Sequence, residues 1–132
     1  ARCFYPRLVS VRPFGSLAQD TCISGSDVDI SVFFLDGPEP MCRAKSSRLL
    51  RNLGREMRRP PATKSLRVIE EILEATVPIL KVRSLGSQSL DADISFGSRQ
   101  QTSCDEVVRS ILEKEVIAQR CVLLIKYWAQ RE

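Results

Sequence analysis

The sequence predicts an α+β fold, in which a short sheet is combined with helices. Short apolar segments bounded by Gly, Pro or Ser recur between residues 8 and 96, as strands do. One segment among them, Met41–Arg59, repeats its apolar residues at helical spacing instead. The last segment, Asp105–Arg131, indicates two helices that meet near Glu113–Glu115.

Five strands are predicted, and turn-forming residues separate several of them. In chain order they are Leu8–Phe14, Asp27–Leu35, Leu66–Ala75, Val77–Arg83 and Leu90–Phe96. The segment Gly37-Pro38-Glu39-Pro40 ends the second strand, and Leu85–Gln88 is predicted to be a turn. The third strand contains enough Glu and Leu to be compatible with a helix as well.

The helix predicted over Met41–Arg59 has one apolar side and one basic side. Its apolar stripe contains Leu49 or Leu50, Leu53 and Met57, and Pro60-Pro61 ends it. Basic residues dominate the rest, namely Arg43, Lys45, Arg48, Arg51, Arg55, Arg58 and Arg59. Three interpretations are open for this face: a surface that follows an RNA backbone, a docking face for a ribonucleoprotein, and a solvated charged surface.

Length and charge limit the possible functions. A chain of 132 residues suffices for one domain with a modest core. It ends in Lys126–Glu132 without a helix-stop signal, so we expect it to be part of a larger protein. The net charge of +4 fits an RNA or nucleotide partner without requiring one. Histidine is absent, which excludes histidine-based nucleophile activation within this chain.

The cysteines and the hydropathy pattern limit the cellular compartments in which the protein is expected. The five cysteines are scattered and form no C-x-x-C pair, so neither a zinc site nor a disulfide framework is expected; they are Cys3, Cys22, Cys42, Cys104 and Cys121. This pattern favours an intracellular, reducing compartment. No apolar run approaches the length that spans a membrane, and no membrane partner is predicted.

Two aspartates lie one residue apart in Ser26-Asp27-Val28-Asp29, at the start of a predicted strand. Because side chains alternate between the faces of a strand, Asp27 and Asp29 share one face and Val28 lies on the other. Two unpaired carboxylates so close repel each other and are costly to desolvate. A bound divalent cation such as Mg²⁺ or Mn²⁺, which prefers oxygen ligands, would resolve this conflict.

Two further elements accompany this pair. Gly15 and Ser16, between a strand and a predicted short helix, offer backbone N–H groups and a hydroxyl to a phosphate. The segment Ser89–Phe96 carries Asp91 and Asp93 on one face of another strand. Asp93 is predicted as the third ligand because apolar sequence follows it, and Asp91 is its rival. Three carboxylates on neighbouring strands can hold two metal ions, which position a triphosphate and activate an attacking hydroxyl.

Three blocks of sequence together resemble a known superfamily. They are F-G-S…S-D-V-D-I within residues 14–30, V-P-I-L-K…D-I-S-F within residues 77–96, and V-L-L-I-K-Y-W-A-Q-R at residues 122–131. With these blocks the chain resembles DNA polymerase β-type nucleotidyltransferases, and among them the terminal uridylyltransferase and poly(A) polymerase-like branch. The first block also fits small aminoglycoside-type nucleotidyltransferases, whereas the other two favour the RNA-tailing branch.

The resemblance implies an architecture and a reaction. Residues 1–103 would form the nucleotidyltransferase catalytic domain, a short mixed sheet with helices on one face, and residues 104–132 the start of a helical second domain. The expected reaction adds UMP from UTP to an RNA 3′ end. The alternatives are a poly(A) polymerase-like adenylyltransferase and a nucleotidyltransferase-fold scaffold within a larger ribonucleoprotein assembly. The resemblance to RNA-editing uridylyltransferases implies the mitochondrial matrix.

The resemblance also implies roles for individual residues. Asp27 and Asp29 would bind both of two Mg²⁺ or Mn²⁺ ions, and Asp93 would bind the catalytic ion and help to activate the RNA 3′-hydroxyl. The residues that would contact or support the bound triphosphate are Gly15, Ser16, Ser26 and Lys126.

Three positions depart from the family pattern. Asp20 stands where the family usually has glycine, and Cys104 stands where an asparagine commonly contacts the nucleoside. Gln130 lies where some members place a second lysine. Most of the second domain, including the segment that stacks on the base, is not in this sequence, so the 132 residues alone are not expected to be sufficient for activity.

Overall fold

A five-stranded mixed sheet organises the fold in the computed structural model of the chain. The structure describes residues 9–35, 41–97 and 99–131, except for the side chains of residues 99–102. The strands are β1 (Val9–Phe14), β2 (Val28–Phe34), β3 (Leu66–Ile72), β4 (Ile79–Ser84) and β5 (Asp91–Phe96). Their spatial order is β1-β2-β5-β4-β3, with β2 and β5 parallel and the other neighbours antiparallel. The predicted α+β class and all five strands are confirmed.

Within the described residues, three α-helices accompany the sheet: α1 (Arg43–Met57), α2 (Arg99–Lys114) and α3 (Val116–Ala129). The predicted break between the last two helices is confirmed, since Glu115 separates them. The predicted start of α2 at Asp105 was wrong, because the helix begins six residues earlier, at Arg99. The added turns are mostly polar, so hydrophobic periodicity gave no signal for them.

The two faces of the sheet differ in chemistry because side chains alternate along each strand. One face is apolar and packs against α1, where Leu50 is fully buried. The buried core on this side consists of Val32, Leu50, Leu73, Leu80, Val82, Ile94 and Phe96. Burying such a side chain contributes roughly 1.5–3 kcal/mol. The intervening residues, which include Asp29 of β2 and Asp93 of β5, lie on the opposite, polar face.

Two further observations concern the predicted boundaries and the membrane. The segment 37–40, which was predicted to end the second strand, lies outside the described residues. None of the described helices is both long and apolar enough to cross a membrane.

Candidate active site

Three aspartates lie together at the edge of the sheet where β2 and β5 begin. Asp29 and Asp93 are directly opposite each other in the parallel register of these strands. Asp27 precedes β2 by one residue and points to the same side, because Lys81 contacts both Asp27 and Asp93. The structure therefore brings together the three carboxylates that the sequence predicted as metal ligands.

Lys81 of β4 lies among these carboxylates. It is directly opposite Asp93 in the antiparallel register of β4 and β5. Its Nζ donates a hydrogen bond to Asp27 Oδ2 at 2.8 Å and lies 3.0 Å from Asp93 Oδ1. The hydrogen bond to Asp27 and the close contact with the Asp93 carboxylate raise the pKa of Lys81. This ion-pairing role of Lys81 was not predicted from the sequence, which carries no local signal for it.

Asp29 is the carboxylate most affected by its surroundings. Burial, followed by the neighbouring charges of Asp93 and Asp27, raises its pKa. Asp93 Oδ1 is itself buried, and its contact with Lys81 is too poorly aligned to count as a hydrogen bond. One ammonium therefore faces three carboxylates, and the site retains an excess of negative charge.

The donor set of the site fits a divalent cation, since carboxylate oxygens are the ligands that Mg²⁺ and Mn²⁺ prefer. In the part of the chain that the structure describes, no three potential ligands are arranged to enclose an ion. Lys81 Nζ lies between Asp27 and Asp93, within 2.8 Å and 3.0 Å of one oxygen of each. An ion bound by these carboxylates would take over the neutralising role of the ammonium.

Asp91, the rival third ligand, is paired elsewhere. Arg83 donates from Nε to Asp91 Oδ1 at 2.6 Å and from its terminal nitrogen to Oδ2 at 2.9 Å. This bidentate pair lowers the pKa of Asp91. The geometry therefore supports Asp93, which faces Asp29, over Asp91 as the third ligand.

The Gly15-Ser16 turn follows β1 and approaches Asp29 closely. Gly15 has a φ of 65°, and a Cβ placed on it would lie 2.8 Å from Asp29 Oδ2. Only glycine fits this position without strain, for both conformational and steric reasons. The short helix predicted after the turn is not formed. Residues 15–20 form successive turns instead, closed by the bond from Gln19 N–H to the Gly15 carbonyl at 3.0 Å.

Asp105 of α2 is a site residue that the sequence did not reveal. Its carboxylate is 7% exposed and accepts hydrogen bonds from Gly15 N–H at 3.0 Å and from Gln19 Nε2 at 2.8 Å. Its negative charge also contributes to the raised pKa of Asp29. A lone aspartate in a helix about 90 residues away carries no sequence signal of this contact. Its neighbour Cys104 is exposed.

Helix α3 contacts the same connection between β1 and β2. Lys126 Nζ donates to the carbonyl oxygen of Thr21 at 3.0 Å and to its hydroxyl at 3.2 Å. Gln119 donates to the carbonyl of Asp20 at 3.1 Å. Lys126 therefore lies beside the chain segment that carries the Gly15-Ser16 turn.

Asp20 stands where the family usually has glycine, and its backbone conformation explains how an aspartate is accommodated there. Asp20 has a φ of 59°, which lies in the left-handed region. Glycine adopts this region without strain, and aspartate tolerates it better than most other residues. The backbone thus retains the geometry that a glycine at this position would provide.

Ser26 closes the turn that precedes the aspartate pair. Its backbone N–H donates to the carbonyl of Ile23 at 3.0 Å, and its Oγ accepts from Ile23 N–H at 3.3 Å. These two bonds hold Ser26 within this turn, and its role in supporting a bound triphosphate stays a prediction.

The mixed sheet, the aspartates at its edge and the adjacent Gly-Ser turn define a polymerase β-type nucleotidyltransferase palm, as the sequence predicted. The chain belongs to the family described as "Poly(A) RNA polymerase, mitochondrial-like, central palm domain", whose model matches residues 2–113.

Solved structures of several proteins share this fold. The structure of mtPAP in complex with GTP has a TM-score of 0.79 and is 22% identical, over 98% of this chain and 29% of that one. Terminal uridylyl transferase 4 from Trypanosoma brucei with bound GTP has a TM-score of 0.75 and is 24% identical, over 94% of this chain and 39% of that one. The Cid1 poly(U) polymerase has a TM-score of 0.67 and is 21% identical, over 94% of this chain and 34% of that one.

These similarities establish the fold. The present chain spans between 29% and 39% of the length of these three proteins. No curated protein matches it.

Proposed function

We propose that this chain is the catalytic palm of an RNA 3′-terminal nucleotidyltransferase. The convergence of Asp27, Asp29 and Asp93 beside the Gly15-Ser16 turn carries this proposal. Membership of a family named for a poly(A) RNA polymerase supports it. The names of the structural neighbours, which include a terminal uridylyl transferase and a poly(U) polymerase, support it as well.

The reaction joins the RNA 3′-oxygen to the α-phosphorus of a nucleoside triphosphate. The hydroxyl loses its proton, the bond from the α-phosphorus to the bridging oxygen breaks, and pyrophosphate leaves. Asp27, Asp29 and Asp93 would hold two Mg²⁺ or Mn²⁺ ions, which when bound stabilise the charge on the reacting phosphate and the leaving group. Asp93, which faces Asp29 across the strands, would also help to activate the hydroxyl.

The triphosphate is proposed to lie along the connection between β1 and β2. Gly15 and Ser16 would contact it, and Ser26 would stabilise the turn that leads to the aspartates. Lys126 would donate to the phosphates, and its present bonds to Thr21 hold the ammonium at this connection.

We propose UTP as the nucleotide, on the resemblance to terminal uridylyltransferases. ATP is the second candidate, because the matching family is named for a poly(A) polymerase. The two differ in the base, and the residue at the family's nucleoside-contacting position here is Cys104.

A helical second domain beginning near residue 104 remains part of the proposal. Several apolar side chains of α3 are exposed, including Ile117 at 79%, Leu124 at 68% and Trp128 at 63%. An exposed apolar surface of this kind is typical of a face that further protein covers. The mitochondrial matrix is proposed as the location, with the similarity to mtPAP as support.

The test uses the full-length protein with a short single-stranded RNA, Mg²⁺ and each of the four nucleoside triphosphates in turn. The variant Asp27→Ala/Asp29→Ala removes the metal ligands, and Asp91→Ala is a matched control on the same face. Extension with UTP that the double variant loses and Asp91→Ala keeps would support the proposal, and extension with ATP would select the adenylyltransferase.

Other outcomes would contradict parts of the proposal. Loss of extension in Asp91→Ala alone would assign the third ligand to Asp91. Absence of extension with any nucleotide would favour a scaffold that retains the fold without the reaction.

A further inference from the structure

Helix α1 carries three arginines in a line on its exposed side. Arg48, Arg51 and Arg55, here called the arginine stripe, are all exposed and are spaced by three and four residues. Such spacing places side chains on one face of a helix. At 1.5 Å per residue the stripe covers about 10 Å of the helix axis.

The stripe differs from the other arginines of the same segment in having no internal partners. Arg58 pairs with Glu71, Arg59 with Glu56, and Arg43 donates to the carbonyl of Glu74. Within residues 9–35, 41–97 and 99–131, no side-chain hydrogen bond or ion pair involves any arginine of the stripe.

The absence of counter-charges points to a polyanion. The only acidic residue of α1 is Glu56, which Arg59 already engages. Three like charges on one face repel each other and gain from an external partner with a regular array of negative charges. Guanidinium groups match phosphate geometrically, because they can donate two parallel hydrogen bonds.

Helix α1 packs on the face of the sheet that lies opposite the aspartates of the candidate active site. The C-terminal part of α1 and the strand ends near the aspartates border one apolar cavity of about 600 Å³. Leu53 and Met57 line it from the helix, and Val28 and Ala92, the sequence neighbours of the site aspartates, line it from the sheet. An RNA that contacts both the aspartates and the stripe would therefore have to pass around this end of the sheet.

We propose that the arginine stripe binds the phosphate backbone of the RNA upstream of its 3′ end. The proposal rests on the proposed function for the identity of the polyanion. At ~3.4 Å per nucleotide of a stacked strand, the stripe matches about three phosphates. RNA is favoured over an acidic protein because the leucines of this helix pack toward the core and not beside the stripe, whereas protein interfaces have an apolar centre.

The first experiment measures binding of the full-length protein to a single-stranded RNA of about 30 nucleotides with a blocked 3′ end, by fluorescence anisotropy over a range of KCl concentrations. The test variant is Arg48→Gln/Arg51→Gln/Arg55→Gln, and the matched control is Arg48→Lys/Arg51→Lys/Arg55→Lys, which keeps the charge. We expect the Gln variant to bind about tenfold more weakly, with a slope of log K against log salt reduced by about 2. The Lys variant should keep the salt slope.

A second assay separates this proposal from the proposed function. In the Gln variant, the KM for the long RNA should rise more than the KM for a primer of about six nucleotides, which offers fewer phosphates to the stripe. If neither the wild type nor the Gln variant extended any RNA, the proposed function would be contradicted. The binding assay would still test the stripe in that case. The stripe proposal would be overturned if the Gln variant bound RNA with the wild-type affinity and the wild-type salt slope. It would equally be overturned if such a variant lost binding to an acidic protein partner instead.

Discussion

Lys81 and Asp93 are directly opposite each other on β4 and β5, with Lys81 Nζ 3.0 Å from Asp93 Oδ1. Asp93 is in turn directly opposite Asp29 on β2. The three side chains thus form one row across three neighbouring strands. The register of the sheet, rather than any local motif, sets the balance of charge in the candidate active site.

Removal of the Lys81 charge should destabilise the metal-free protein. Lys81→Met leaves Asp27 and Asp93 without their counter-charge, so we expect the free energy of unfolding in EDTA to fall by about 1–2 kcal/mol. Excess MgCl₂ should restore more stability to this variant than to the wild type, because an ion can neutralise the carboxylates instead. Urea unfolding with and without Mg²⁺ measures both effects.

Lys64→Met provides the control for this prediction. Lys64 is exposed, and its side chain makes no hydrogen bond or ion pair with the part of the chain that the structure describes. Its replacement should change stability by less than about 0.5 kcal/mol. Equal stabilisation of wild type and Lys81→Met by Mg²⁺ would show that Lys81 does not neutralise a metal site.

Asp29 should make stability depend on pH in the acid range. Its folded-state pKa is raised by burial and by Asp93 and Asp27, so the folded state holds the proton more tightly than the unfolded state. Without divalent ions, the free energy of unfolding should therefore fall as the pH rises from the ordinary value of 3.8 through the raised pKa. Lys81, whose pKa is also raised, loses its contribution only at alkaline pH.

The variant Asp29→Asn tests this origin of the pH dependence. It should be more stable than the wild type at pH 7 in EDTA, by about 0.5–1 kcal/mol, while losing nucleotidyl transfer. Denaturant unfolding at several pH values, compared between the two proteins, measures the difference. A wild-type pH profile in the variant would assign the effect to another carboxylate.

Gly15→Ala should disturb the site through two distinct effects. The left-handed backbone costs a non-glycine residue about 1–2 kcal/mol, and the new Cβ would lie 2.8 Å from Asp29 Oδ2. Gly25→Ala is the matched control, because Gly25 has a φ of 85° but open space around its Cβ position. Gly25→Ala should lose only the conformational part of this stability, and transfer activity should fall by about tenfold or more only in Gly15→Ala. Equal activities would refute the steric role of Gly15.

Asp105→Asn should loosen the Gly15-Ser16 turn. An asparagine can accept from Gly15 N–H, but its amide nitrogen would then face the donor of Gln19, so one bond to a charged acceptor is lost. We expect a loss of about 1–2 kcal/mol and a raised KM for the nucleotide. The exposed neighbour Glu106 supplies the control Glu106→Gln, which should leave both quantities unchanged. An unchanged KM in Asp105→Asn would limit Asp105 to a structural role.

The sequence was sufficient to predict the elements whose signal is local. The alternation of strand side chains placed Asp27 and Asp29 on one face, and the helical repeat around Leu50 located α1. Prediction from the sequence failed where the local signal was weak or absent, as in the first turns of α2. The succession of turns after Ser16 also differs from the predicted short helix.

The sequence by itself determined the strands, the helix with its basic side and the aspartates that define the class of protein, because each depends on periodicity or on short spacing. Only the tertiary structure decided that Lys81 pairs with Asp27 and Asp93, and that Asp105 holds the backbone of Gly15. The contacts of Lys81 with Asp27 and of Asp105 with Gly15 join residues 54 and 90 positions apart along the chain. Strand order, register and helix docking bring such residues together, and none of these is encoded in any short segment.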